Sequence, residues 1–165
     1  MKRAIPLLLL LALASSLSAL RYPFINYRSS EGLPQSTVTA LLQDGNGFLW
    51  IGTQAGLGRF DGSAFQAFTR RDGLAGNYVT GLALDRRGIV WVATQEGLNR
   101  IRDGRIESWP LADDFVRAIA FSSLDDSLWV LTDRSIFAVR GDHPLRSSLF
   151  PAPGRLLGLS SRTGV

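Results

Sequence analysis

The chain has 165 residues, 45% of them hydrophobic and 19% charged, a composition that suits one folded domain and excludes disorder. Its formal charge of +4 falls to +2 without Lys2 and Arg3, because 16 basic then face 14 acidic residues, and the arginines are scattered rather than striped, which argues against a nucleic-acid partner. No cysteine occurs, so neither a disulfide framework nor a thiolate metal site can be built.

Residues 1–20 have a short basic start, an apolar run from Ile5 to Ala14 and then small residues, the pattern of a secretory signal peptide. Export to the periplasm is the expectation. Extended through the serines to Leu20, the run would make a marginal uncleaved anchor, since a membrane span needs roughly 18 to 20 apolar residues. In the stretch 22–31, Phe24 and Tyr27 stand 41 positions before Phe65 and Phe68, and Glu31 stands 41 before Asp72. It therefore reads as the last, outer strand of a repeat unit.

The 41-residue spacing continues. Gly32, Leu33, Val38, Thr39, Leu41, Asp44, Gly47, Trp50, Thr53, Gln54, Gly56, Leu57 and Arg59 all recur 41 positions later, from Gly73 to Arg100, without a gap. A weaker third copy shows in Val116, Ile119, Trp129, Thr132, Ile136 and Arg140. Alternating apolar residues between glycine-bearing turns predict strands at 37–43, 48–53, 57–60 and 64–69 in the first repeat. The second repeat follows at 78–84, 89–94, 98–102 and 105–109, and the third at 115–121, 128–132, 135–140 and 145–150. Leu156 to Leu159 match Val79 to Leu82 and would start a fourth.

A period near 40 with Trp-bearing strands belongs to radial β-repeats, so the expected fold is all-β: a partial, open β-propeller. It holds about three four-stranded antiparallel blades, at about 32–72, 73–110 and 111–150, with an N-terminal outer strand and the first strand of a further blade at 155–165. Closed propellers typically have 4 to 8 blades. The count predicts that 21–165 is the N-terminal piece of a longer protein.

Most candidate residues read as structural. Trp50, Trp91 and Trp129 share one position of the second strand, where a large ring fills the wedge between blades. Gly52, Thr53, Thr94, Gly56 and Gly97 serve the end of that strand and the turn after it. Asp44 and Asp85 open hairpin turns. The run from Asp44 to Phe48 breaks the calcium-loop pattern at its fifth position and lacks the closing Glu, so an Asx-type turn is expected rather than a metal. His143 is the one histidine, and no nucleophile elbow or phosphate-binding glycine motif appears. Neither catalytic, metal nor cofactor residues are expected.

The block from Gly32 to Gly62, with its G-L-P-Q-S opening, D-G-x-G-F-L-W-I-G-T core and G-L-x-R-F-D-G ending, resembles the two-component regulator propeller repeat. Gly73 to Gly104 resembles it too, with Ala75 for the proline and Ala93 for a glycine; the third copy departs further. The resemblance implies a periplasmic sensor region of the kind that precedes a membrane span and a histidine kinase or diguanylate cyclase module, here without that module. It implies recognition of a small-molecule or carbohydrate ligand, or of a periplasmic protein, on loops at one end of the central channel. An exported propeller lyase or glycoside hydrolase is the alternative, and self-association of two three-blade arcs is a third reading. The nearly uncharged inner strands weigh against the enzyme.

Overall fold

The computed structural model describes residues 24–110, 115–141 and 143–151, and for 110 and 143–151 the backbone alone. They form three antiparallel sheets of four strands, each in simple sequence order. The first holds β1 (Val38–Gln43), β2 (Leu49–Thr53), β3 (Leu57–Phe60) and β4 (Phe65–Phe68), and the second β5 (Val79–Leu84), β6 (Val90–Thr94), β7 (Gly97–Arg102) and β8 (Arg105–Pro110). The third holds β9 (Val116–Ser122), β10 (Ser127–Thr132), β11 (Ser135–Arg140) and β12 (His143–Pro151). The first strands of successive sheets lie against one another, so each sheet is a propeller blade with its first strand innermost. This is the open, partial propeller that the repeat spacing predicts.

Glycine places the turns. Asp103 and Gly104 both take positive φ, 50° and 75°, which lets two residues close the β7–β8 hairpin with the twist its strands need. In each blade the inner strand carries one extra residue opposite its partner: the register slips between Val38 and Ala40, between Val79 and Gly81, and between Val116 and Ala118. These are β-bulges at one repeat position.

Two apolar clusters lie between blades rather than within them. Trp50 and Leu57 of the first blade pack with Val79, Val90, Val92 and Ile101 of the second. Trp91, Ala93 and Leu98 of the second pack with Val116, Leu128, Val130 and Val139 of the third. Each blade thus presents a forward face, carrying its Trp, to the leading face of the next. The approach is close: a Cβ on Gly52 would stand 2.6 Å from Val79 Cγ1. Between the first two blades that leaves room for glycine alone, whereas Ala93, the counterpart of Gly52 one blade on, is accommodated with its methyl buried in the next interface.

The connectors repeat as well. Ser29–Glu31 and Arg70–Asp72 form single 3₁₀ turns, each ended by a left-handed glycine, Gly32 at φ 101° and Gly73 at φ 106°. Thr69 N–H donates to the Asp72 carboxylate at 2.8 Å while Thr69 Oγ1 accepts from Arg71 N–H at 3.3 Å, a reciprocal cap. After the turn the chain crosses the blade. Ala75 N–H donates to Asn99 Oδ1 at 3.1 Å, and Asn99 Nδ2 donates to Gly73 O at 3.4 Å. At the same place in the first blade stand Pro34, which has no N–H, and Gly58, which has no side chain to accept one; Pro34 Cδ and Leu33 Cδ1 fill the space over Gly58.

One expected element is corrected. Residues 24–28 form no strand, because a strand requires an edge to pair with and none is offered to them among the described residues. Tyr27 instead rests on the outer strands of the first blade, its ring 4.9 Å from Phe60 and 5.3 Å from Phe65. The signal peptide at 1–20 and the strand expected at Leu156 to Leu159 lie outside the described residues.

Candidate functional site

The three second-to-third-strand hairpins, the starts of the inner strands and the connectors meet at one end of the blades. The hairpins are fixed by threonine. Thr53 Oγ1 donates to Gly56 O at 2.7 Å and accepts from Ala55 N–H at 3.2 Å; Thr94 Oγ1 donates to Gly97 O at 3.0 Å, and Thr132 Oγ1 to Ser135 O at 3.0 Å. All three threonines are buried, so each hydroxyl finds its partners in the backbone of its own turn. The hairpins are also tied to the inner strands, with Gln95 N–H donating to Tyr78 O at 3.0 Å and Asp133 N–H to Phe115 O at 3.1 Å.

What this end presents is polar and aromatic. Gln54 Nε2 reaches Tyr78 Oη at 3.4 Å across the first two blades, and Arg117 Nε donates to Asp133 Oδ1 at 2.5 Å within the third. That carboxylate pushes the Arg117 guanidinium further toward its charged form, first through the hydrogen bond and then through its charge. Phe115, Gln54 and Glu96 are exposed beside them, and Thr80 Oγ1, at the bulge of β5, is buried without a hydrogen-bond partner among the described residues. Such a surface can hold a ligand by hydrogen bonds and ring contact. Among the described residues no three metal-ligating side chains come together.

The repeat positions singled out from sequence lie away from this end or beneath it. Asp44 sits in the opposite hairpin, where Oδ1 accepts from Asn46 N–H at 2.9 Å and Phe48 N–H at 3.1 Å, and Oδ2 from the Trp50 indole at 2.8 Å. Asp85 repeats the arrangement with Arg87 N–H, Ile89 N–H and, at 3.3 Å, the Trp91 indole; Arg87 also pairs with it at 3.1 Å. Each carboxylate thus fastens its hairpin to the ring that fills the gap between blades. Sequence reasoning treated Asp and Trp separately, although their common six-residue spacing was the available signal. Arg59 Cζ lies 4.6 Å from the Phe48 ring centre, and Arg100 Cζ 5.0 Å from that of Trp109, covering the outer ends of the same faces. Trp129 is half-buried, and Ala138 stands where the other two blades have Arg59 and Arg100. His143 opens β12, the outermost strand of its blade, far along the sheet from the inner strand.

Comparison with known proteins agrees with this architecture. Residues 32–55 and 73–96 match the family model described as "Two component regulator propeller". The chain is similar to the extracellular domain of a hybrid two component system from B. thetaiotaomicron, with 24% identity and a TM-score of 0.63 over 73% of this chain and 18% of that one. A second such domain from the same organism gives 21% and 0.62 over 75% of this chain and 17% of that one. Virginiamycin B lyase from Staphylococcus aureus gives 18% and 0.54 over 66% of this chain and 40% of that one. At these identities the likeness is one of fold, and the chain spans under a fifth of the length of the two extracellular domains. No curated protein matches the sequence.

Proposed function

We propose that this chain, whose first two repeats match the two-component regulator propeller, is the exported recognition segment of a bacterial two-component-type signalling protein and has no catalytic machinery of its own. The carrying observation is that match at residues 32–55 and 73–96. The likeness to extracellular domains of two component systems supports it, as do the basic start and apolar run of residues 1–20, which suit passage into the periplasm. Recognition falls on the hairpin end, where Gln54, Tyr78, Phe115 and the Arg117–Asp133 pair offer donors, acceptors and a ring to a small molecule, a carbohydrate or a periplasmic protein. Signal output belongs to a module outside these 165 residues.

The fold shared with virginiamycin B lyase motivates a second reading, a propeller enzyme. Acid–base catalysis needs paired titratable side chains near the channel; Glu96 is exposed at the hairpin end, but the sole histidine lies on an outermost strand and Asp133 is engaged by Arg117. Sequencing genomic DNA through and beyond codon 165 separates the two. Further repeats leading to an apolar span and a kinase or cyclase module support the sensor. Further blades that bring acids and histidines to the inner strands, without a span or output module, overturn it.

A further inference from the structure

The third blade departs from the repeat twice at one spot. Beside the threonine that fixes each hairpin stand Gln54, Gln95 and Asp133, and at the bulge of each inner strand stand Thr39, Thr80 and Arg117. A neutral Gln with a neutral Thr is thus replaced by an acid and a base that bind each other, Arg117 Nε donating to Asp133 Oδ1. An exposed pair of this kind contributes little to stability. Nor does the hairpin need it, because Asp133 is tied to Phe115 O through its main-chain N–H, as Gln95 is to Tyr78 O one blade back. The pair's capacity is only half used. Among the described residues, Arg117 Nη1 and Nη2 have no hydrogen-bond partner, and neither has Asp133 Oδ2. The Arg117 side chain is 59% exposed, and Phe115, whose carbonyl Asp133 holds, is 51% exposed. A neighbouring blade does not seal this position, since Thr80, its counterpart in the second blade, is only half-buried between the first and third.

The geometry points to a zwitterion as the ligand of this pair, a free α-amino acid with an apolar side chain; the inference rests on the recognition reading above and gives it a ligand class. The two terminal nitrogens of the Arg117 guanidinium match a carboxylate as a fork, Asp133 Oδ2 accepts from an ammonium, and the Phe115 ring offers its face to the side chain. The charges select a zwitterion over simpler ions. An anion on Arg117 meets the Asp133 carboxylate one hydrogen bond away, and a cation on Asp133 meets the guanidinium, so either one is repelled where it is also attracted. A molecule carrying both signs on one carbon sets each charge beside its opposite and adds no net charge. A neutral sugar would draw water away from both charges and return only uncharged hydrogen bonds.

Isothermal titration of the full chain with three probes tests this: L-phenylalanine, 3-phenylpropionate, which lacks the ammonium, and phenethylamine, which lacks the carboxylate. L-phenylalanine should bind saturably and at least about tenfold more tightly than either analogue, the worth of one charged contact. Asp133→Asn keeps the shape and removes the repulsion, so it should reverse the order and favour 3-phenylpropionate. Arg117→Thr with Asp133→Gln, which installs the residues of the other blades, should bind none of the three. Equal binding of L-phenylalanine and 3-phenylpropionate by the parent overturns the proposal in favour of a plain anion site. Unchanged L-phenylalanine binding by the double variant overturns it by placing the ligand elsewhere. So does the absence of heat with L-phenylalanine at about millimolar concentration, in a chain whose circular dichroism shows strands. Glucose, titrated alongside, separates this failure from that of the reading beneath it. Glucose bound where L-phenylalanine is not strikes the zwitterion and leaves recognition standing, while the sequence beyond codon 165 decides the sensor reading on its own.

Discussion

Among the described residues the second blade is enclosed on both sides, whereas the first shows its leading face and the third its forward face, and the same residues behave differently in the two settings. Val79 and Val116 are wholly buried while Val38, their counterpart in β1, is 45% exposed; Leu82 packs between blades while Leu41 is 62% exposed. Identical side chains at identical repeat positions thus contribute by what lies across from them. Stability in such a stack is a sum over blade interfaces more than over blades.

The comparison can be broken hardest at the indoles. Trp91→Ala removes a ring buried between the second and third blades and should cost about 3 to 5 kcal/mol in urea unfolding, enough to unfold many domains. Trp129→Ala, on the open face, should cost about 1 to 2 kcal/mol. Equal losses would mean that the open face is as well packed as the closed one. Asp85→Ala comes next. It strands the N–H groups of Arg87 and Ile89 and the indole of Trp91 and should cost about 1 to 3 kcal/mol, with a smaller loss for Asp44→Ala in its more exposed hairpin. Val79→Ala should cost about 2 kcal/mol and Val38→Ala under about 0.5 kcal/mol, and the difference between them measures one interface directly. Asn99→Ala should cost about 1 to 2 kcal/mol by leaving Ala75 N–H unpaired, a loss that an additional Ala75→Pro substitution should partly restore.

The smallest effect is one of pH. Asp61, in the β3–β4 turn, accepts from Ala64 N–H, then Ser63 N–H and the Ser63 hydroxyl, and these bonds hold its carboxyl down at about 2. Its folded value lies below the unfolded one, so its contribution is present above about pH 4 and is lost as pH falls toward 2. Melting temperatures of the parent and Asp61→Asn should differ most near pH 5 and converge near pH 2. A constant gap would assign the effect to shape rather than charge.

Much of the fold could be read from the chain because strands and turns here are local matters. Alternation marks β1, β5 and β9, and glycines after Asp44, Asp85 and Asp103 mark the hairpins between strands. What escaped reading depends on neighbours. The bond from Asp85 to the Trp91 ring joins a hairpin to the strand after it and left only a repeated six-residue spacing in the sequence, while the pairing of Ala75 with Asn99 spans 24 residues and does not follow from periodicity. The sequence did hold a trace of the second: where proline replaces the donor at position 34, glycine replaces the acceptor at position 58. The strand expected near Phe24 failed for the opposite reason, since repeat identity says what a segment resembles but not what it can pair with. For recognition the sequence suggested only loops at one end of the channel, without saying which end or which side chains. Which of its side chains cluster was set by contacts between blades, such as Gln54 with Tyr78.

The bulges in the inner strands bear on parity. Because side chains alternate across a strand, one extra residue at Val38–Ala40, Val79–Gly81 and Val116–Ala118 reverses the order of faces once per blade. Val79 and Leu82, three apart, can therefore both turn toward the first blade, an odd separation that an unbroken strand would send to opposite sides. Deleting Thr80 would remove no large contact, yet it would turn one of these residues away from the core, so a single missing codon would be felt like the loss of a whole side chain.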